Sequence, residues 1–371
     1  MRIRILFVAS DYSSGMIPFA STIINMLSKN DCFDVFALVV NSEHNSYVEA
    51  LKGFDDNHLV QISYPKSKWK KLFYKFYPVS IVKKIMELDK EIKPDIIHLL
   101  TGDFALAPFF ISHKVTDKWY YTVHDLHPHE VSYNGLIQTM LQKYIEWGYE
   151  KLRDKINNLT TSSQTQYGEL KSMYPNKHIG FTHFPSLITE QIKEGNKQVA
   201  ELEEEQDYIL FFGRVDKYKG VDLLIRAYLN SEKLQSHKLV IAGKGLDFSN
   251  LINDNANIIR INRFIHDLEI KDLFSKALFV VYPYKSATMS GVLSIACYFK
   301  KIVLLSSIPF FIENKMSSSV FFECCNIGDM REKMECLLEN SNFTITNDKN
   351  YEDLYSEKTL VNDYKNLYEI K

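Results

Sequence analysis

A chain of 371 residues exceeds what a single hydrophobic core usually serves, so two domains are expected. Its hydrophobic fraction of 46% and charged fraction of 24% are ordinary for a globular protein, and a formal net charge of -2 argues against broad electrostatic binding of nucleic acid. The cysteines (Cys32, Cys297, Cys324, Cys325 and Cys336) are odd in number and form no CxxC, which points to a reduced, cytoplasmic setting rather than to disulfides or a zinc knuckle.

The opening MRIRILFVASDYSSG lacks the long apolar core and cleavage site of a signal peptide, and is expected to be a buried strand at residues 3–9 running into a polar turn at 13–15. Helical spacing follows at 18–27, then strands at 35–40, 95–99 and 119–123, a helix at 139–153, a strand at 159–162 and a helix at 164–173. No run of about 18 apolar residues suggests a membrane span. Alternation of apolar strands with helices implies a parallel sheet covered on both faces. The charged stretch 193–207 reads as an exposed linker or surface helix.

The pattern then restarts with a strand at 208–212, a helix at 221–229, and strands at 238–242, 258–260, 278–281 and 302–305. Residues 351–370 carry Leu354, Leu360, Tyr364, Leu367 and Tyr368 roughly on one helical face. The expected organisation is an α/β protein of two Rossmann-like, doubly wound domains with a cleft between them. It comprises 1–190, a linker at 191–207, a second domain at 208–350, and a C-terminal helix at 351–371 whose candidate packing partner is the first domain. Ligands of open α/β sheets gather at the carboxyl ends of the strands.

Three motifs carry the chemistry of the second half. In GRVDKYKG, at 213–220, a strand ends at Gly213 and two cations, Arg214 and Lys219, follow before a helix start. Glycine lets a phosphate approach the backbone, and the cations can neutralise a diphosphate; a β-turn with two solvated basic residues is the alternative. In IAGKG, at 241–245, Gly243 opens a Gly-x-Gly turn that is equally an ordinary tight turn. Beyond Pro283-Tyr284 a polar loop runs through Ser290-Gly291-Val292 into an apolar helix. Its free N–H groups could hold phosphate oxygens, or Ser290 could simply cap the helix.

Together GRVDKYKGVDLLIRAY, IAGKG and PYKSATMSGVLSIACYFKKIVLLSS resemble, in order and spacing, the retaining glycosyltransferases of family four, which have the GT-B fold. The resemblance spans the chain in layout and is specific over about 208–307. It implies a nucleotide-sugar donor held by the C-terminal domain, an acceptor held mainly by the N-terminal domain, and no metal or other cofactor. By this resemblance Arg214 and Lys219 contact the donor diphosphate, Ser290, Gly291 and Val292 meet it through their backbone, and Arg263, Phe264 and Ile265, after Asn262, lie beside the nucleobase. Two glutamates with seven residues between them, frequent in the family, are missing, and Ala287 and Ile295 stand in their places. The loop resembles that of members of the bacterial surface-polysaccharide type, and Thr288, Ser286 or Lys285 could take over in binding.

In the first half, His124-Asp125 resembles the family's His-Asp motif, in which the histidine faces the donor sugar. His127, His129 and Glu130 follow, so a metal site is a rival reading, as are loop histidines with structural hydrogen bonds. Gly15 resembles a glycine lying near the donor phosphate and sugar, or serves a plain strand-to-helix turn. Residues 66–77 mix five lysines with five aromatics and fit either a membrane interface or a packed amphipathic helix.

The function expected is transfer of a sugar, with retention, from a nucleotide diphosphate donor to a glycan or lipid-linked acceptor in surface-polysaccharide synthesis. A GT-B subunit that binds without turnover is the alternative. A dinucleotide oxidoreductase is disfavoured because no Gly-x-Gly-x-x-Gly follows the first strand.

Overall fold

The structure, a computed structural model, describes residues 2–11, 16–42, 46–127, 135–339 and 349–370. It divides into two compact units, Met1–Pro185 with Glu357–Lys371, and Ser186–Ser356.

In the first unit, strands β1 (Ile3–Ala9), β2 (Phe33–Asn41), β3 (Leu59–Ser63), β4 (Ile96–Leu99), β5 (Trp119–Thr122), β6 (Asn158–Thr161) and β7 (His178–Phe181) form one parallel sheet of order β3-β2-β1-β4-β5-β6-β7. Between them run helices α1 (Met16–Ser28), α2 (Lys68–Phe76), α3 (Val79–Ile92), α4 (Ala107–Ser112), α5 (Leu136–Lys155) and α6 (Gln164–Met173). Strand β1 shows why the sheet must be covered twice. Ile5, Phe7 and Ala9 enter one buried cluster, whereas Leu6 and Val8 enter the other. Alternation on a strand with no polar side leaves no face for water.

The second unit repeats the plan. Its helices in chain order are α7 (Glu190–Glu194), α8 (Val221–Leu229), α9 (Ser249–Ile252), α10 (Asp267–Ser275), α11 (Val292–Tyr298), α12 (Pro309–Glu313), α13 (Ile327–Glu339) and α14 (Lys349–Tyr355). Strands β8 (Tyr208–Phe212), β9 (Leu239–Ala242), β10 (Ile258–Ile261), β11 (Ala277–Tyr282), β12 (Ile302–Ser306) and β13 (Ser319–Phe322) pair in parallel in the order β10-β9-β8-β11-β12-β13. The order reverses between β1 and β4 in the first unit and between β8 and β11 in the second. At such points consecutive loops leave on opposite sides and open a crevice at the carboxyl ends of the strands.

Two boundaries differ from the sequence reading. Residues 191–207 are not an exposed linker: Ile192, Val199 and Leu202 are buried in the second unit's core, and Val199 N–H donates to Asp272 Oδ2 at 2.9 Å. A few apolar anchors among many charges are enough to dock such a segment. Residues 351–370 are not one helix either. The chain leaves α14, in the second unit, at Ser356 and enters α15 (Glu357–Leu367), which belongs to the first. Leu360, Val361, Tyr364 and Leu367 of α15, with Tyr368 beyond it, seal the Ile5–Phe7–Ala9 face.

His98 on β4 fastens that seal. It is fully buried, with Nδ1 2.6 Å from Tyr368 Oη and Nε2 2.9 Å from Thr122 Oγ1. Burial, with a smaller push from His124, lowers its pKa from 6.5 to about 3. Between those values only the unfolded chain takes up a proton at this position. The stability owed to His98 is therefore complete above about pH 6.5 and is lost as pH falls towards 3. Asp103, whose pKa is raised, acts in the opposite sense but cancels in a comparison of variants. Thermal unfolding followed from pH 7 to pH 4 should show a shallower loss in His98→Gln than in the wild type; equal slopes would mean that His98 is protonated in the folded chain.

Candidate functional site

Because β8 and β11 are neighbours, the loops that leave their carboxyl ends are packed together. The contact is backbone against backbone. Gly220 has φ +66°, and a Cβ there would lie 1.9 Å from the Pro283 carbonyl oxygen. Lys285 N–H donates to Tyr218 O at 2.7 Å across the same junction. On the other flank, a Cβ on Gly243 would lie 2.1 Å from Gly213 O, and one on Gly245 would lie 2.1 Å from Val215 O. Gly243 thus has a structural reason to be glycine: it lets the β8 and β9 loops touch.

This crowding delivers Lys219. It sits at the end of a 3-10 turn, Lys217–Lys219, with its side chain buried. Nζ donates to Tyr284 Oη at 2.7 Å and lies 4.5 Å from the Tyr284 ring centre and 5.6 Å from that of Tyr218. A Cβ on Gly213, φ +130°, would stand 3.6 Å from this Nζ and 3.4 Å from Val292 Cγ1, so Gly213, Lys219 and Val292 converge. Burial lowers the lysine pKa, Tyr218 raises it, and the nearby Arg214 lowers it further. Among the described residues no carboxylate lies in ion-pair contact with Lys219. A buried ammonium held by two aromatic faces and one phenol has donors left for an anion.

Arg214 already holds a partner of its own. Its guanidinium is 66% exposed, and Nε lies 2.6 Å from Asp216 Oδ2. To reach an anion beside Lys219 it must exchange that partner. Ser290 Oγ lies 3.4 Å from Tyr284 Oη, which links the 290–292 loop to Lys219 through one phenol. Thr288 and Gly291 are partly exposed at the same loop, and Gly291 precedes α11. Tyr284 and Tyr218 were not singled out by sequence, although Tyr284 stands within the quoted Pro283-Tyr284 motif. The two positions lacking glutamate are apolar for good reason: Ile295 is buried in the core on α11, and Ala287 packs against it.

Arg263 is committed elsewhere. Its guanidinium bonds Glu201 through Nε and Nη2, each at 2.8 Å, and Glu269 through Nη1 and Nη2 at 2.8 and 2.7 Å. The hydrogen bonds that it donates to both glutamates hold it protonated, and the same bonds lower the pKa values of Glu201 and Glu269. A guanidinium saturated in this way pins the 200s segment to α10 and has little left for a ligand. Beside it Phe264 is exposed while Ile265 is buried.

In the first unit, His124 follows β5. Nε2 lies 2.7 Å from the Leu100 carbonyl oxygen, which can only accept, so Nε2 carries the proton. Nδ1 is then an acceptor; it is buried and has no hydrogen-bond partner among the described residues. Burial lowers the pKa and favours the neutral ring, which stacks edge-on to Phe19 at 4.8 Å. A neutral imidazole with one free lone pair suits acceptance of a hydrogen bond from a hydroxyl. His127 does not join it: His127 is exposed and bonds Glu169 at 2.8 Å. His129 and Glu130 lie outside the described residues, as does Gly15. Among the described residues no three His, Cys, Asp or Glu side chains gather as a metal site would require.

Asp103 ties the end of β1 to the turn after β4, a role with no sequence signal. Buried, with φ +46°, it accepts from Ser10 N at 3.0 Å, Ser10 Oγ, Thr101 N at 3.1 Å and Thr101 Oγ1 at 3.0 Å. Desolvation outweighs these donors and raises its carboxyl to about 6.

Two parallel, doubly wound sheets with their loops gathered at the reversal of strand order define a protein of two Rossmann-like domains, the GT-B fold. Residues 192–355 match the family model described as "Glycosyl transferases group 1", so the likeness to that family lies in this segment. Among solved structures, HepE of Anabaena in complex with UDP-glucose is 14% identical, with a TM-score of 0.69 and full coverage of both chains. WaaG, a glycosyltransferase involved in lipopolysaccharide biosynthesis, is 14% identical with a TM-score of 0.62, again over the whole of both chains. The UDP-GlcNAc 2-epimerase of Methanocaldococcus jannaschii, 12% identical, scores 0.61 over 99% of this chain and 100% of its own. At these identities the likeness is one of fold, and the fold alone serves both transferases and epimerases. No curated protein matches the sequence.

If Lys219 receives the anion, affinity for a nucleoside diphosphate should weaken as pH rises and the ammonium deprotonates, at values below the ordinary 10.5. Isothermal titration with UDP, GDP and ADP across pH 7 to 10 checks this. Lys219→Met should bind at least tenfold more weakly and lose the pH dependence. An unchanged profile in Lys219→Met would place the anion elsewhere.

Proposed function

We propose that the protein moves a sugar from a nucleotide diphosphate donor to a hydroxyl of a glycan or lipid-linked acceptor, with retention, in the making of a surface polysaccharide. The observation that carries this reading is the buried Lys219 ammonium, caged by Tyr218 and Tyr284 and, among the described residues, in ion-pair contact with no carboxylate, at the reversal point of the second sheet. Support from the comparisons is of two kinds: the HepE structures hold UDP, UDP with glucose, and UDP-glucose, and WaaG is named for lipopolysaccharide biosynthesis.

The residues divide the work by charge. As the sugar leaves, negative charge builds on the diphosphate; Lys219 meets it at once and Arg214 does so after leaving Asp216. The backbone N–H groups of Ser290, Gly291 and Val292 add neutral donors to the same phosphate. The departing phosphate accepts the acceptor's proton, so no paired carboxylates are required on this side of the reaction. His124 accepts a hydrogen bond from a sugar hydroxyl at Nδ1 and holds the ring for the reaction. Two cations in place of a metal make divalent ions dispensable.

Incubation with UDP-, GDP- and ADP-sugars, with and without EDTA, tests the reading. Release of nucleoside diphosphate with one of them, undiminished by EDTA, is the expected result. Failure with every donor despite tight nucleotide binding would favour a binding subunit without turnover, the reading suggested by apolar Ala287 and Ile295. Arg214→Ala should lower kcat/KM about tenfold to a hundredfold, with thermal stability barely changed. His124→Ala should impair turnover far more than nucleotide affinity, and should also cost roughly 1–3 kcal/mol of stability because a buried ring is removed. Parallel loss of affinity and turnover in His124→Ala would remove His124 from the sugar.

A further inference from the structure

Helix α2 is unusual in that none of its residues is buried. It is held to the first unit on one side. Tyr74 packs its ring edge-on to Tyr64 at 4.9 Å, and Phe76 supplies a carbonyl to Tyr144 Oη at 3.0 Å, with the Phe76 and Tyr144 rings 4.8 Å apart. The other side is apolar and faces solvent. Trp69 is 73% exposed and Phe73 69%, with Leu72 also exposed, while the Phe76 ring meets Tyr144. Trp69, Leu72 and Phe73 have the spacing 0, 3 and 4, a single stripe along a helix, and Val79 is exposed at the start of α3.

The segment that carries this stripe has one sign of charge. Residues 60–86 contain seven lysines and neither Asp nor Glu. Lys83 and Lys84 share Glu87 as a partner, but among the described residues Lys68, Lys70, Lys71 and Lys75 stand in no ion pair. A basic halo around an exposed aromatic stripe selects its partner. A second copy meeting the same face would set lysines against lysines. A nucleic acid would leave the stripe in water. A bilayer with anionic headgroups satisfies both parts, because aromatics enter the acyl boundary while lysine stems lie along it and place their ammonium groups on phosphates.

We infer that α2 is a docking face for an anionic lipid surface, on which the protein rests without spanning it; no helix of the described residues is long and apolar enough to cross a membrane. This goes beyond the proposed transfer reaction and does not depend on it.

The full-length protein is sedimented with vesicles of phosphatidylglycerol and phosphatidylcholine in equal parts, and with vesicles of phosphatidylcholine alone. Binding to the first and not the second, weakened by high salt, is expected. Each lysine near such a surface contributes roughly fivefold in affinity, so replacing Lys68, Lys70, Lys71 and Lys75 by Glu should lower it by at least about a hundredfold. Phe73→Ser should lower it about tenfold. Since Trp119 is buried and Trp147 half-buried, a blue shift of emission on binding reports Trp69, and Trp69→Phe should abolish the shift while keeping the binding. Unchanged melting temperatures in these variants show that the fold is intact, and unchanged nucleoside diphosphate release from donor without vesicles separates this result from that of the transfer reaction. No binding at low salt, equal binding to both vesicles, or full binding by the lysine variant would overturn the inference. So would a shift from dimer to monomer in the lysine or Phe73 variants, which would make the face a contact between copies.

Discussion

The second unit is organised by the lack of room between backbones where the strand order of its sheet reverses. Three loops leave adjacent strands there, and they can pack only if their crossing points carry no Cβ. Gly220 against Pro283, Gly243 against Gly213 and Gly245 against Val215 are these points, each with a carbonyl oxygen about 2 Å from where a side chain would begin. An added methyl group would have to push backbone rather than a flexible side chain. Much of what is chemically useful in this unit hangs from these crossings.

Lys219 shows how. A lysine at the surface would be hydrated and undemanding. Here the 3-10 turn ending at Gly220 draws the side chain inward, and Tyr218 and Tyr284 replace water around its ammonium group. The cost of desolvation is met in part by the ring faces and the Tyr284 hydroxyl, and in full only when an anion arrives. The contrast with Arg263 is instructive, because that guanidinium has two carboxylates already and is correspondingly structural. Availability for a ligand is a property of a cation's partners, not of its type.

The first unit applies the same economy to neutral groups. His98 and His124 are buried with depressed pKa values, yet their surroundings divide their roles. His98 uses both nitrogens, on Thr122 and Tyr368, and serves to close the sheet with α15. His124 uses one nitrogen on Leu100 and keeps the other as an acceptor with no partner among the described residues. A buried unpaired lone pair is tolerated where a ligand completes it.

The sequence by itself determined the two doubly wound units and the motifs at their strand ends. Long apolar strands such as 3–9 and 208–212, followed at once by small or glycine residues, have few other physical solutions. Strands β3, β7 and β13 escaped it because they are outermost in their sheets, short and half solvated, so their patterns are weak. Tertiary structure alone decided where the 191–207 stretch belongs, since three buried apolar residues are hidden there among many charges. It alone broke the last helix at Ser356 and handed α15 to the first unit. It also alone separated free cations from occupied ones. Spacing along a chain brings Arg214, Lys219 and Arg263 forward as equals, but whether a charge keeps a vacancy for a ligand depends on residues dozens of positions away, such as Tyr284 for Lys219 and Glu201 for Arg263. Local sequence fixes which groups a loop presents; only the packed fold fixes what they already hold.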